Sequence, residues 1–182
     1  MTLKKLKKLT DFDIKNKRVI VRADLDFDPA DLNNLRLTSL TPTLDYLKNQ
    51  NCIITIIGHR GRPEGKVDES LSLKPFESYF QKWQCKVLEN LRFNPGEEAN
   101  SEEFAKELAQ SQDFFVNEAF AASHREHASI VGLPKLLPHA AGFRFAEEVQ
   151  NLSQVLDNPA RPLVMLISGL KDDKLSYIES FF

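Results

Sequence analysis

Charged side chains of this 182-residue sequence cluster directly after its short apolar runs. Asp24 and Asp26 follow the run that ends at Ala23, and His59-Arg60-Gly61-Arg62-Pro63 follows the one that ends at Gly58. Arg92 stands just beyond Lys86 to Asn90, and Glu118, with His124 and Arg125 further on, comes after Asp113 to Asn117. Arg36 sits in the connection that leads to the first helix, within reach of the same edge. Arginine suits anion binding because its planar fork makes paired, charge-assisted hydrogen bonds to phosphate or carboxylate and stays protonated at any working pH. Such a set predicts a small ligand with two anionic groups. Polar loops are common, so no one of these residues decides anything alone. Their joint placement carries the reading.

The elements that must position them follow from periodicity. Short runs rich in Val, Ile and Phe alternate with stretches of helical period, the pattern of β-α-β units and a mainly parallel sheet. The predicted strands are Arg18 to Ala23, Cys52 to Gly58, Lys86 to Asn90, Asp113 to Asn117 and Pro162 to Ser168. A first helix opens at Thr41-Pro42, with a capping hydroxyl and a proline at the first helical position, and runs to about Asn49. Lys74 to Trp83 reads as a second helix, and roughly Phe145 to Leu156 as a fourth. Between them, Asn100-x-x-Glu103 resembles the capped start of a third, with Phe104 and Leu108 on one face. Lys174 to Phe182 carries Leu175, Ile178 and Phe182 at helical spacing, so the sequence is expected to stop inside or just after a helix with an uncovered apolar face. The fold class is α/β: a three-layer, Rossmann-like domain around a mainly parallel sheet of about five strands. In such a sheet ligands bind beyond the carboxyl ends of the strands, where the charged set falls.

Composition narrows the function classes. With 24 basic and 26 acidic residues, a net charge of -2 and a pI near 6.1, nothing marks the whole surface as a binder of nucleic acid or membranes, so an anion site must be local. The opening Met1 to Leu9 has the lysines of a signal peptide but no uninterrupted apolar stretch, and reads as a solvated leader. Cys52 and Cys85 lack metal-ligand spacing and read as small core residues of a reducing compartment, so a cytoplasmic location is expected. His124-x-x-His127 has no third or fourth ligand to complete a zinc set, and no metal is expected. His139 reads as a surface or helix-end residue, and Trp83 and most of the thirteen Phe residues as packing. No repeat or low-complexity linker divides the chain.

Several segments together resemble one family. They are Val19-Ile20-Val21-Arg22-Ala23-Asp24-Leu25-Asp26, Arg36 before Pro42-Thr43, Gly58 to Pro63, Leu88-Glu89-Asn90-Leu91-Arg92-Phe93, and Val116-Asn117-Glu118-Ala119-Phe120 with His124 to Ser129. In this order they resemble the phosphoglycerate kinases, from about Leu9 to the end of the chain. The resemblance implies that Asp24 and Asp26 meet the hydroxyl and carboxylate end of 3-phosphoglycerate or 1,3-bisphosphoglycerate, that His59, Arg62, Arg92 and Arg125 surround its phosphate, and that Arg36 stabilises the phosphoryl group in flight. It also implies Lys171 and Lys174 for the nucleotide phosphates, within Ser168 to Lys174, a segment altered and one residue shorter than the family's. MgATP or MgADP is the expected second substrate, held by a carboxyl-terminal nucleotide-binding domain that these residues do not include. Residues 1–170 are expected to form the phosphoglycerate-binding domain and 171–182 the start of the hinge region, in a monomer with no cofactor tightly bound and no activity by itself.

The sequence departs from the family's pattern elsewhere too. Asp26 stands where the family has asparagine, Glu118 replaces an aspartate, and Ala121-Ala122 replaces Gly-Thr. The span from Trp83 to Leu88 is short enough to have lost one strand, at a sheet edge, and one helix. The alternatives to half of a kinase are a non-catalytic phosphoglycerate-binding remnant or sensor, and a scaffold whose terminal helix docks a partner.

Overall fold

The computed structural model describes residues 6–157, 159–164 and 166. Five strands, β1 (Arg18–Arg22), β2 (Ile53–Ile57), β3 (Lys86–Val87), β4 (Phe114–Asn117) and β5 (His139–Ala141), form one sheet in the order β3-β2-β1-β4-β5. Every pairing is parallel. All carboxyl ends therefore lie along one edge, and the strand order reverses at β1, which puts the loops after β1 and β4 on either side of a crevice. The helices are α1 (Leu35–Thr38), α2 (Thr41–Asn49), α3 (Glu77–Phe80), α4 (Pro95–Glu98), α5 (Glu102–Ala109), α6 (Leu133–Leu136) and α7 (Phe143–Asp157). Tight 3-10 turns at Lys74–Phe76 and Gln81–Trp83 flank α3.

Alternation along β1 builds the layers. Val19 and Val21 pack with Leu44 and Leu47 of α2 and with Phe76, Phe80 and Trp83, while Ile20 faces Phe104 and Leu108 of α5, Phe115 and Leu133. Trp83 donates from its indole to Asp45 at 2.6 Å, so its one polar atom is satisfied at the core margin. Cys52 and Cys85 are free and half-buried against the first cluster. Burial pushes both thiols up, Cys85 to about 12, which keeps them protonated.

The backbone divides into a unit of Met1–Ala146, which holds the sheet, and a unit of Glu147–Phe182, whose described part is the rest of α7 and the irregular chain beyond it. Among the described residues no helix is long and apolar enough to cross a membrane.

Several expectations are corrected. Pro162, Leu163, Val164 and Leu166 are irregular backbone, not a strand, and the rest of Pro162 to Ser168 lies outside the described residues. Apolar composition makes a strand only where a neighbouring edge accepts its N–H and C=O groups. The fifth strand is β5, and His139 belongs to it. The strand expected from Lys86 to Asn90 stops at Val87 because the Glu89 carboxylate accepts from the N–H groups of Leu73 and Asn90 and from the Ser72 hydroxyl, which turns the chain. The third helix is capped by Ser101, whose Oγ accepts from Phe104 N–H, and not by Asn100, whose φ is 52°. The leader is not wholly solvated: Leu9 is buried, and the Lys7 carbonyl accepts from Ala141 N–H at 2.9 Å. The terminal segment Lys174 to Phe182, with Lys171 before it, lies outside the described residues.

Candidate functional site

The residues just past β1, β2 and β3 interlock at the carboxyl edge. Gly61 holds the centre, with φ +62° and no room for a Cβ, which would lie 2.8 Å from the Leu71 side chain. In that conformation its N–H donates to Asp26 Oδ1 at 2.8 Å and its carbonyl accepts from Arg92 Nη1 at 2.7 Å. Arg36, at the start of α1, puts Nε 3.4 Å from Asp24 Oδ2 and donates from Nη1 to the Asp26 backbone carbonyl at 2.6 Å. The Asp26 carboxylate is thus tied to the loop after β2, 3.9 Å from His59 Nε2, and not paired with Arg36.

His59 is buried, and Arg22 Nη2 donates to its Nδ1 at 2.8 Å. A guanidinium has no acceptor, so Nδ1 must accept and the ring proton sits on Nε2. Burial, followed by the charges of Arg22, Arg92, Arg125 and His127, pushes the imidazole down to about 2. His59 is therefore a neutral hydrogen-bond donor.

Arg92 is 2% exposed. Its Nε lies 3.1 Å from Glu98 Oε1 without hydrogen-bond geometry, and its Nη2 has no hydrogen-bond partner among the described residues. Burial, opposed by Glu98, lowers its affinity for its proton, and the Arg125 charge lowers it further. A buried donor without an acceptor costs about 1–3 kcal/mol, so this one marks a place where an anion would be welcome. Arg125 is half-buried and close enough for its charge to act on His59 and Arg92. Arg62 follows Gly61 and is exposed, and it makes no ion pair among the described residues. Asp24, Asp26, Arg36, His59, Arg92 and Arg125 are thus linked by contact or by charge, whereas Arg62 makes no hydrogen bond or ion pair with any of them among the described residues. Lys171 and Lys174 lie outside the described residues.

A sequence model described as phosphoglycerate kinase matches residues 9–85 and 80–182. The chain belongs to the phosphoglycerate kinase family. It is 38% identical to phosphoglycerate kinase of Moorella thermoacetica over 203 residues, covering 94% of this chain and 51% of that one. It is 34% identical to that of Coprothermobacter proteolyticus, covering 97% and 53%. The structure of phosphoglycerate kinase from Coxiella burnetii superposes with a TM-score of 0.78 at 32% identity, over 86% of this chain and 46% of that one. The phosphoglycerate kinase of Pyrococcus horikoshii gives 0.72 at 25% identity, over 86% and 47%. The chain spans about half the length of the curated relatives it matches.

Sequence reasoning missed the polar residues beneath the edge. Arg22 is fully buried, donating from Nε to Ser129 Oγ at 3.0 Å and from Nη1 to the Ala23 carbonyl at 2.6 Å. Glu97, also fully buried, accepts from Ser129 Oγ at 2.5 Å and from Ser129 N–H at 3.0 Å. The available signal was Arg22 itself, a charge inside a run that is otherwise apolar. Glu118 has other partners: it accepts from the Thr43 hydroxyl and, at 2.9 Å, from Phe145 N–H in the first turn of α7. Burial raises its carboxyl above the ordinary range, opposed by these hydrogen bonds.

Proposed function

We propose that this chain is the phosphoglycerate-binding half of an enzyme that moves a phosphoryl group between 1,3-bisphosphoglycerate and ADP, giving 3-phosphoglycerate and ATP in glycolysis. The observation that supports this most directly is Arg92, buried with Nη2 unpartnered beside the charges of Arg125 and the neutral donor His59. In this reading Arg62, Arg92, Arg125 and His59 hold the substrate's phosphate, and Asp24 and Asp26 meet its hydroxyl and carboxylate end. Arg36 offers charge to the phosphoryl group in transfer.

Such a transfer needs little covalent help and much fixed positive charge at the equatorial oxygens. The ADP phosphate oxygen that accepts the phosphoryl group and the carboxylate released from the acyl phosphate are both already ionised, so no general base is called for, in keeping with a neutral His59. Residues 1–170 act as the phosphoglycerate domain and 171–182 as the start of the hinge region, with Lys171 and Lys174 reaching toward nucleotide phosphates. MgATP or MgADP is the second substrate and is held by a carboxyl-terminal domain in the complete enzyme, a cytoplasmic monomer. These 182 residues alone do not bring both substrates in line, and turnover by them is expected to be nil.

Titration calorimetry with 3-phosphoglycerate tests the site. The chain should bind weakly, and Arg92→Ala should weaken binding by about tenfold or more, since a charge-assisted hydrogen bond contributes about 1.5–3 kcal/mol. Unchanged affinity in Arg62→Ala, Arg92→Ala and Arg125→Ala alike would mean that the pocket is elsewhere. A coupled assay showing ATP-dependent turnover above a contaminant control would overturn the need for a second domain.

A further inference from the structure

A buried hydrogen-bonded chain crosses the unit beneath the charged edge, from Glu97 of α4 through Ser129, in the π-helical turn Ala128–Gly132, and Arg22 of β1 to His59 after β2. We infer that Glu97 is a positioning residue: through Ser129 and Arg22 it holds the His59 imidazole in the tautomer that carries its proton on Nε2. A neutral donor, not an acceptor, then faces the ligand edge.

The chemistry of the ends fixes the direction of every link. An ionised carboxylate only accepts and a guanidinium only donates. Ser129 has one hydroxyl proton, and at 2.5 Å from Glu97 Oε1 that proton belongs to the carboxylate. The serine oxygen is left with lone pairs, which receive Arg22 Nε at 3.0 Å. The Ala23 carbonyl takes Nη1 at 2.6 Å, and His59 Nδ1 is the one acceptor remaining for Nη2, at 2.8 Å. Around the ring, Arg92, Arg125 and His127 add positive charge and Asp26 Oδ2 lies 3.9 Å from Nε2. Glu97 and Arg22 are both fully buried and meet only across one hydroxyl, so losing that hydroxyl cuts the link between them and leaves Glu97 with the Ser129 N–H and with His127 Nδ1 at 3.8 Å. What the Nε2 proton binds rests on the function proposed above; the tautomer itself does not.

Long-range 1H–15N correlation spectra of the ligand-free chain, assigned with His59→Gln, read the tautomer directly. In the wild type one ring nitrogen of His59 should be a fully protonated Nε2 and the other a fully acceptor Nδ1. In Ser129→Ala and in Glu97→Gln the two resonances should draw together as both tautomers become populated, and Ser129→Thr, which keeps the hydroxyl, should restore their separation. A folded Ser129→Ala with unchanged separation overturns the relay. So does a proton on Nδ1 in the wild type, which needs no variant to fold. Adding 3-phosphoglycerate afterwards separates the two readings: the Nε2 tautomer in a protein that does not bind it supports the relay and strikes only the function.

Discussion

Arg18 and Arg22 mark the two ends of β1, and the fold treats them in opposite ways. Arg18 is half-exposed and grips Asp113 with Nε at 2.9 Å and Nη2 at 2.6 Å, a contact that raises the guanidinium's affinity for its proton and draws the carboxyl far below its usual range. Arg22 is buried, touches no carboxylate, and gives its protons to a hydroxyl, a carbonyl and an imidazole, while burial lowers its affinity for its proton. A charge set against its opposite is cancelled on the spot. A charge held by neutral acceptors is offset only from a distance, here by Glu97, Asp24 and Asp26, so more of its field reaches the carboxyl edge. One strand thus carries a pairing end and a recruiting end.

That contrast can be broken at several points. The largest effect is expected from Arg22→Met, which keeps the volume but strands the buried Glu97 charge: unfolding in urea should reveal a loss of about 3 kcal/mol or more. A loss no greater than that of an ordinary surface substitution would show that Arg22 does not hold this buried network together.

Acid comes next. His59, held at about 2 when folded, returns to about 6.5 when unfolded. The unfolded chain therefore binds more protons between these values, and the stability present above pH 6.5 is lost as the pH falls, by at most about 1.4 kcal/mol per pH unit. His127, also lowered by burial, adds in the same direction, while Glu118, raised by burial, acts against both. Stability against pH in wild type and His59→Gln isolates the one residue: the variant should lose less stability between pH 6.5 and 5, and parallel curves would contradict a neutral buried imidazole.

Asp26→Asn tests the recruiting end from the other side. The amide keeps an oxygen for the Gly61 N–H and removes a negative charge beside an incoming anion, so 3-phosphoglycerate should bind roughly threefold tighter after screening. Equal or weaker binding by the variant would mean that the charge is already neutralised in the bound state. The smallest effect belongs to the pairing end: Arg18→Ala should barely move the denaturation midpoint and leave binding unchanged, because water solvates both partners of an exposed pair. A marked loss of affinity there would dissolve the distinction between the two ends.

How much of this was legible follows from where each residue's partners lie. β1 was placed to within one residue, because an apolar β-branched run buried on both faces has few other uses. β5 was not, since His139-Ala140-Ala141 is three residues with no β-branched side chain and becomes a strand only because Phe115 to Asn117 offer it an edge. The loop positions of Arg36, His59, Arg92 and Arg125 were legible because position after a strand is a property of the chain itself. The roles of Arg22, Glu97 and Ser129 were hidden, because Arg22 finds its hydroxyl 107 residues away and that hydroxyl finds its carboxylate 32 residues away. Such distances are set by the folded sheet and have no local trace.

β3 has a consequence for how the protein behaves among its own copies. The sheet ends in a strand of two residues, Lys86 and Val87, paired to Thr55 and Ile56 on its inner side. A longer, flat, apolar edge would offer a row of free N–H and C=O groups for another chain to join, which is the first step toward aggregation. Here the offered row is too short to hold a second strand in register, and the exposed lysine at its start would have to surrender its hydration to let one approach. So short an edge, opened by a charge, resists self-association.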